Sequence, residues 1–303
     1  MKRLLYFSLI FLISSCSKER NILVYQSDFG LKDGAVAAMK GVATSVSKDL
    51  AIYDLTHEIT AYNIAEAAYR LNQSASYWPE GTVFVSIVDP GVGSERKSIV
   101  LKTKTGHYFV TPDNGTLTLI AESMGIEAVR EIDETVNRLK GSGESYTFHG
   151  RDVYSYTAAR LASNTISYEE VGKLLEGDIV RLPNMNATVE GNMIIGNIPV
   201  LDVQYGNVWT NISKEDLKKL DINPGDSIHV SIDYDTGVKF DKTILFANTF
   251  SDVPNGADLA YMNSLLKLSV AINQGNFAAT YGVQTGDGWT FKVSKPAYRT
   301  GRP

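Results

Sequence analysis

The chain has 303 residues, 44% of them hydrophobic and 21% charged, with 25 Gly and 9 Pro; this is a globular composition, neither disordered nor collagen-like. The 29 Lys and Arg against 34 Asp and Glu give a net charge of -5, so there is no basic surplus to hold a phosphate backbone, and nucleic-acid binding is set aside. A single Cys forbids an internal disulfide and a multi-cysteine zinc site, and only 4 His speak against a histidine-rich metal centre.

Residues 1–16 (MKRLLYFSLIFLISSC) open with Lys2 and Arg3 and continue in a short apolar run from Leu4 to Ile13. That run is too short to span a hydrocarbon core of roughly 30 Å and fits the apolar part of an export signal. Cys16, directly after Ile13, Ser14 and Ser15, resembles a bacterial lipoprotein processing site. The resemblance implies a signal over 1–15, a lipid on Cys16, a polar tether over 16–20 and anchoring outside the cytoplasm. The outer membrane is favoured because no Asp follows Cys16. An ordinary signal peptide with an incidental cysteine is the plainer alternative.

Beyond the tether, residues 21–25 (NILVY) form a β-rich run, 34–46 a helical stretch and 50–54 a second strand. Residues 64–78 carry apolar side chains at helical spacing, and 82–88 (TVFVSIV) is an unbroken apolar strand. Strands follow at 98–102 and 107–111, and helices at 116–124 and 153–164. Strands alternating with helices point to βαβ units and a largely parallel sheet. After 183–187 (PNMNA) the pattern changes to short strands broken by Gly, Asn and Asp turns, at 192–198, 200–203, 227–232 and 243–247. The expected architecture is an α/β domain over 21–183 followed by a smaller β-rich domain over 190–303.

Three polar clusters fall where strands end or helices begin: 26–30 (QSDFG), 89–96 (DPGVGSER) and 147–152 (TFHGRD). In open α/β sheets small ligands bind beyond the carboxyl ends of strands, which suits the first two. Each cluster also has a structural explanation. Asp28 could cap the following helix, residues 89–91 (DPG) spell a turn, His149 could be a hydrogen-bonded histidine at a helix start, and Arg151 with Asp152 could be a surface pair. Spacing alone supports a small-molecule site at the sheet edge and nothing finer. Neither a dinucleotide fingerprint nor a Gly-x-Ser-x-Gly elbow is present.

Taken in order, the clusters resemble the S-adenosyl-L-methionine (SAM) hydroxide adenosyltransferases, SAM hydrolases related to the fluorinating and chlorinating enzymes. The resemblance runs from Ile22 to about Val293 through 27–30 (SDFG) with 39–41 (MKG), 88–93 (VDPGVG) with Arg96, 111–115 (TPDNG) and 147–153 (TFHGRDV). It continues through Asp202 with 205–212 (YGNVWTNI), 250–254 (FSDVP), 263–264 (NS) and 273–275 (NQG). It implies an α/β domain followed by a β-barrel-like one, assembled as a homotrimer with sites between one subunit's first domain and the next subunit's second.

It also implies Asp89, Arg96 and His149 around an attacking water, and Asp28 gripping the ribose hydroxyls. Asp202 and Asn207 would hold the amino-acid end and the adenine, Phe250 would lie on the adenine, Ser264 would meet the methionine carboxylate, and Trp209 would be a further pocket residue. The implied reaction forms adenosine and L-methionine with neither cofactor nor metal; Asp89 or His149 would take the water's proton, His149 being the better tuned base near neutral pH. Two alternatives accompany it. One is a surface lipoprotein that binds an adenosyl compound without turnover. The other is a SAM-dependent halogenase, disfavoured because the halogenating relatives carry an aromatic hydroxyl and a small hydroxyl residue where this chain has its Asp-Pro-Gly and His positions. Leu265, where those relatives carry a basic residue, departs from the halogenating pattern.

Overall fold

A computed structural model describes residues 21–296 except Asn184 and Thr236. The signal, the tether and Cys16 lie outside the described residues. Two sheets organise the chain. The first contains β1 (Ile22–Ser27), β2 (Ala51–Thr56), β3 (Val83–Ile87), β4 (Ser98–Thr103), β5 (Tyr108–Pro112) and β6 (Ile126–Glu131), in the spatial order β2-β1-β3-β5-β4-β6. Three pairings, β1 with β2, β1 with β3 and β3 with β5, are parallel. The two at the far edge, β4 with β5 and β4 with β6, are antiparallel. The sheet is therefore parallel where the ligand-bearing turns leave it and antiparallel beyond.

Both faces of this sheet are covered. Alternation along β1 sends Leu23 and Tyr25 to one face and Val24 to the other. The first face packs on α1 (Ala35–Val46) and α4 (Tyr156–Ala162) through Val36, Met39, Ala158 and Leu161. The second packs on α2 (Ile64–Ser74) and α3 (Thr118–Met124) through Leu71 and Ile120, with Phe84 and Phe109 stacked at 4.9 Å between centroids. Asn63 caps α2 by accepting the Glu66 N–H at 2.9 Å.

The second sheet has nine strands: β7 (Thr188–Glu190), β8 (Met193–Gly196), β9 (Val200–Asp202), β10 (Asn207–Ser213), β11 (Ser227–Tyr234), β12 (Gly237–Phe246), β13 (Asp258–Met262), β14 (Lys267–Ile272) and β15 (Thr290–Ser294). Their order is β7-β8-β15-β11-β12-β13-β14-β10-β9, antiparallel except between β12 and β13. The sheet curls on itself around Ile194, Val208, Val230, Phe240 and Phe291. Near its two ends the Asn211 N–H donates to the Asn197 carbonyl at 3.3 Å, and the Asn197 N–H to Asn211 Oδ1 at 2.9 Å, giving the barrel-like form. Two short helices, α5 (Lys214–Lys219) and α6 (Phe277–Tyr281), flank it. Arg70 on α2 ties the two units by donating to the Leu201 carbonyl at 2.7 Å, and Tyr69 packs on Trp209 at 6.2 Å.

Candidate active site

The carboxyl ends of β1 and β3 release two turns side by side. Residues 89–94 form successive tight turns, the Val92 N–H reaching the Asp89 carbonyl at 3.2 Å and the Ser94 N–H the Gly91 carbonyl at 3.0 Å, with Gly93 at φ +77°. The chain doubles back so that Arg96 faces Asp89. Arg96 Nε donates to Asp89 Oδ1 at 2.7 Å and its Nη2 to Asp89 Oδ2, a fork that engages both carboxylate oxygens. Only 10% of the Arg96 side chain and 6% of that of Asp89 are exposed, so the pair is sheltered from solvent screening.

His149 enters from a different part of the sequence, at the start of a wide, π-helical segment, Gly150–Ser155, that runs into α4. Arg96 Nη2 lies 3.0 Å from His149 Nδ1, so the three residues meet, with the guanidinium bridging carboxylate and imidazole. Arg96 Nη1 also donates to Ser98 Oγ at 3.1 Å, and Ser98 meets the buried Tyr154 hydroxyl at 3.2 Å. Burial pushes the Tyr154 phenol up, leaving it neutral beneath the guanidinium. On the other side of the ring, Arg138 Nη2 lies 2.9 Å from His149 Nε2 and donates to Glu134 Oε2 at 2.9 Å. Burial first holds the imidazole below the ordinary histidine range. Glu134 pulls it up, Arg96 and Arg138 press it down, and Asp89 opposes them.

Above this floor opens a cleft of about 260 Å³ lined by Asp28, Phe29, Tyr62, Ile87, Asp89, Val92, Phe148 and His149 among others. Its walls are apolar and its polar groups few, as in sites for small organic molecules. Asp28 does not cap the following helix. Gly34 stands at that cap, and Asp28 Oδ2 instead accepts the Tyr62 N–H at 2.9 Å while the residue borders the cleft. Arg151 and Asp152 are only half a surface pair. Asp152 is fully buried and takes two bonds, at 2.6 and 3.0 Å, from Arg151, whose own side chain stays about a third exposed.

The second-domain residues lie elsewhere in the single chain. Asp202 and Ser264 line a larger cavity at the domain junction together with Glu66, Arg70 and Trp78. Asn207 is buried and donates to Asp202 Oδ2 at 3.2 Å. Phe250 packs on Tyr261 at 4.9 Å. Trp209 is buried against Tyr69 and donates its indole N–H to the Tyr261 hydroxyl at 3.1 Å, within the junction's packing and away from either opening. Sequence reasoning missed Arg138, Glu134, Ser98 and Tyr154; Glu134 and Arg138 pair four residues apart in irregular chain, where no helical spacing announces them. It also missed a hydrogen-bonded chain at the base of the first turn, where buried Ser27 Oγ meets buried His57 Nδ1 at 2.7 Å and His57 Nε2 meets the exposed Asp54 Oδ1 at 3.0 Å.

An apolar cleft at the carboxyl edge of a parallel sheet, floored by a buried carboxylate–guanidinium–imidazole set, defines a two-domain α/β protein with a site of small-molecule size. The SAM hydroxide adenosyltransferase N-terminal domain model matches residues 23–172 and the C-terminal domain model residues 196–290, and the chain belongs to that family. It is 36% identical over 224 residues to an (R)-S-adenosyl-L-methionine hydrolase of Methanocaldococcus jannaschii, covering 72% of this chain and 76% of that protein. It is 30% identical over 291 residues to a fluorinase of an Actinoplanes species, covering 88% and 95% of the two chains. A crystal structure of a conserved protein from Thermotoga maritima superposes with a TM-score of 0.80 at 33% identity, covering 90% of this chain and all of that one.

Proposed function

We propose that this chain hydrolyses SAM to adenosine and L-methionine by attack of water at ribose C5′. The observation that carries the reading is the meeting of Asp89, Arg96 and His149 on the floor of a cleft that Asp28 borders. The sulfonium needs no activation. The C5′–S bond breaks with its electron pair staying on sulfur as the neutral thioether, and a C5′–O bond forms from the water oxygen. The water loses one proton. The enzyme's work is to align that water in a dry pocket, and such positioning contributes several kcal/mol, of order 7–11 in favourable systems.

Arg96 supplies fixed positive charge where hydroxide character develops. The surroundings of His149 favour Asp89 of the two candidate bases. Both its nitrogens face guanidinium donors, which can only donate, so the ring is a poor receiver for the proton. Asp89 keeps a free lone pair on each oxygen and borders the cleft, which makes it the acceptor. Asp28, with one oxygen anchored by Tyr62, presents the other to the ribose hydroxyls. A halide would be repelled by the Asp89 carboxylate, which speaks against the halogenating reaction.

The reading extends to assembly and address. The cleft is lined by first-domain residues alone, and its rim carries exposed Tyr62 and Val92. A homotrimer in which a neighbouring copy brings Asp202, Asn207, Phe250 and Ser264 to this rim accounts for both features; light scattering of the purified protein tests it. The signal over 1–15 and the lipid on Cys16 make the mature enzyme a membrane-anchored one, with domains over 21–183 and 190–303; detergent partitioning of Cys16→Ser against the parent tests that. The activity is tested by incubating purified protein with SAM in ¹⁸O-labelled water. Adenosine carrying the label at its 5′ oxygen is expected. SAM retained without product, or a 5′-halogenated nucleoside in halide buffer, overturns the reading.

A further inference from the structure

His149 is held between two guanidiniums, Arg96 Nη2 at 3.0 Å on Nδ1 and Arg138 Nη2 at 2.9 Å on Nε2. A neutral imidazole has one acceptor and one donor, and a guanidinium has donors only. One contact at a time is therefore a hydrogen bond. A second ring proton would set donor against donor on both sides. Arg138 is fixed in place for this role. It donates to Glu134, lies over the Tyr146 ring at 4.8 Å, and has only 11% of its side chain exposed. Among the described residues its Nη1 is buried without a partner, a placement that costs stability.

We propose that Arg138 is a positioning residue of the hydrolytic site, holding the His149 ring in plane and keeping it neutral by cancelling Glu134. The catalytic consequence rests on the hydrolase reading; the charge state rests on the surroundings of His149 alone. Asp89 and Arg96 face the ring from the turn after β3, and Glu134 and Arg138 from the segment after β6. Tyr146 meets it edge-on at 6.3 Å, Asp28 and Tyr62 share the cleft, and Tyr154 lies behind Arg96 at 5.6 Å. Two cations thus balance two anions, and burial decides in favour of the neutral ring. With Arg138 removed, Glu134 is left uncompensated and draws a proton onto His149. The Asp89–Arg96 couple then shares its space with an imidazolium that repels the sulfonium of the substrate.

The test is a ¹³C-histidine NMR titration of the full chain, with the His149 signal assigned by its loss in His149→Asn, alongside the pH profile of kcat/KM. In the parent, His149 titrates below the range of free histidine. In Arg138→Met it moves up, and the acid limb of kcat/KM moves with it. A rise of about one pH unit lowers the rate on that limb about tenfold relative to the alkaline plateau. Arg138→Lys, which keeps the charge, restores both toward the parent. Glu134→Gln, a milder change, moves the titration down. The proposal is overturned if His149 titrates alike in the parent and Arg138→Met, if Arg138→Lys restores nothing, or if Glu134→Gln leaves the titration where it was. Should the protein form no adenosine, the NMR titration still decides the role of Arg138, and the hydrolase reading alone falls.

Discussion

Replacing Asp89 by Asn keeps the shape of the floor and removes its charge. In the parent, Arg96 engages both carboxylate oxygens. Asn offers one acceptor and turns an amide N–H₂ toward the other guanidinium nitrogen. One charge-assisted bond worth about 1.5–3 kcal/mol is lost, and a sheltered donor is left facing a donor. Because Arg96 keeps its contacts to Ser98 and His149, the expected loss of stability is about 3 kcal/mol, at the low end for a broken buried pair. A domain with about 5–15 kcal/mol to lose remains folded. Turnover suffers more, because the group that takes the water's proton is gone. A loss of about 10²–10⁴ in kcat is expected, equivalent to about 3–5.5 kcal/mol of barrier. Adenosine formation at saturating SAM, followed by chromatography, measures the loss of turnover, and the urea midpoint of the same preparation the loss of stability. Turnover within about tenfold of the parent by a folded Asp89→Asn protein refutes the assignment of Asp89 as acceptor.

Asp28→Ala removes a charged acceptor from the ribose and raises KM for SAM by about 10–100-fold, with the smaller change in kcat; steady-state kinetics separate the two. Arg151→Met strands the fully buried Asp152 carboxylate and lowers stability by about 3–5 kcal/mol, visible as a fall in the urea midpoint, whereas Asp152→Asn costs clearly less. Trp209→Ala opens a cavity at the domain junction against Tyr69 and costs about 3–5 kcal/mol, so an unmoved midpoint contradicts its placement in the packing.

Much of the architecture was legible because buried strands are apolar without interruption. The run at 82–88 is β3, all five of whose residues are buried, and the polar cluster after it is the turn that carries Asp89. The β6 strand escaped notice since half of its residues, Glu127, Arg130 and Glu131, are charged with no regular alternation, and the strand is only partly covered. Without it the antiparallel edge of the first sheet could not be foreseen. The meeting of Asp89 and Arg96 with His149 was suggested by motif resemblance, but the second guanidinium was not. Arg138 sits in irregular chain between β6 and the π-helical segment, where no periodicity marks a side chain as inward-facing. Nor does sequence distinguish Asp152 from an exposed carboxylate, because only tertiary packing seals it against Arg151.

Because residues 150–155 wind more widely than the α-helix they join, the register between His149 and α4 depends on one additional backbone unit. Deleting one residue while the segment tightens to ordinary helical pitch would leave the register as it is, but tightening it with every residue kept would rotate everything upstream by about 100° about the axis. The imidazole would swing off the cleft floor while Ala158, Ala159 and Leu161 kept their seats in the core. A change that tightens this bend without shortening it is thus a way to silence the chemistry without dismantling the scaffold.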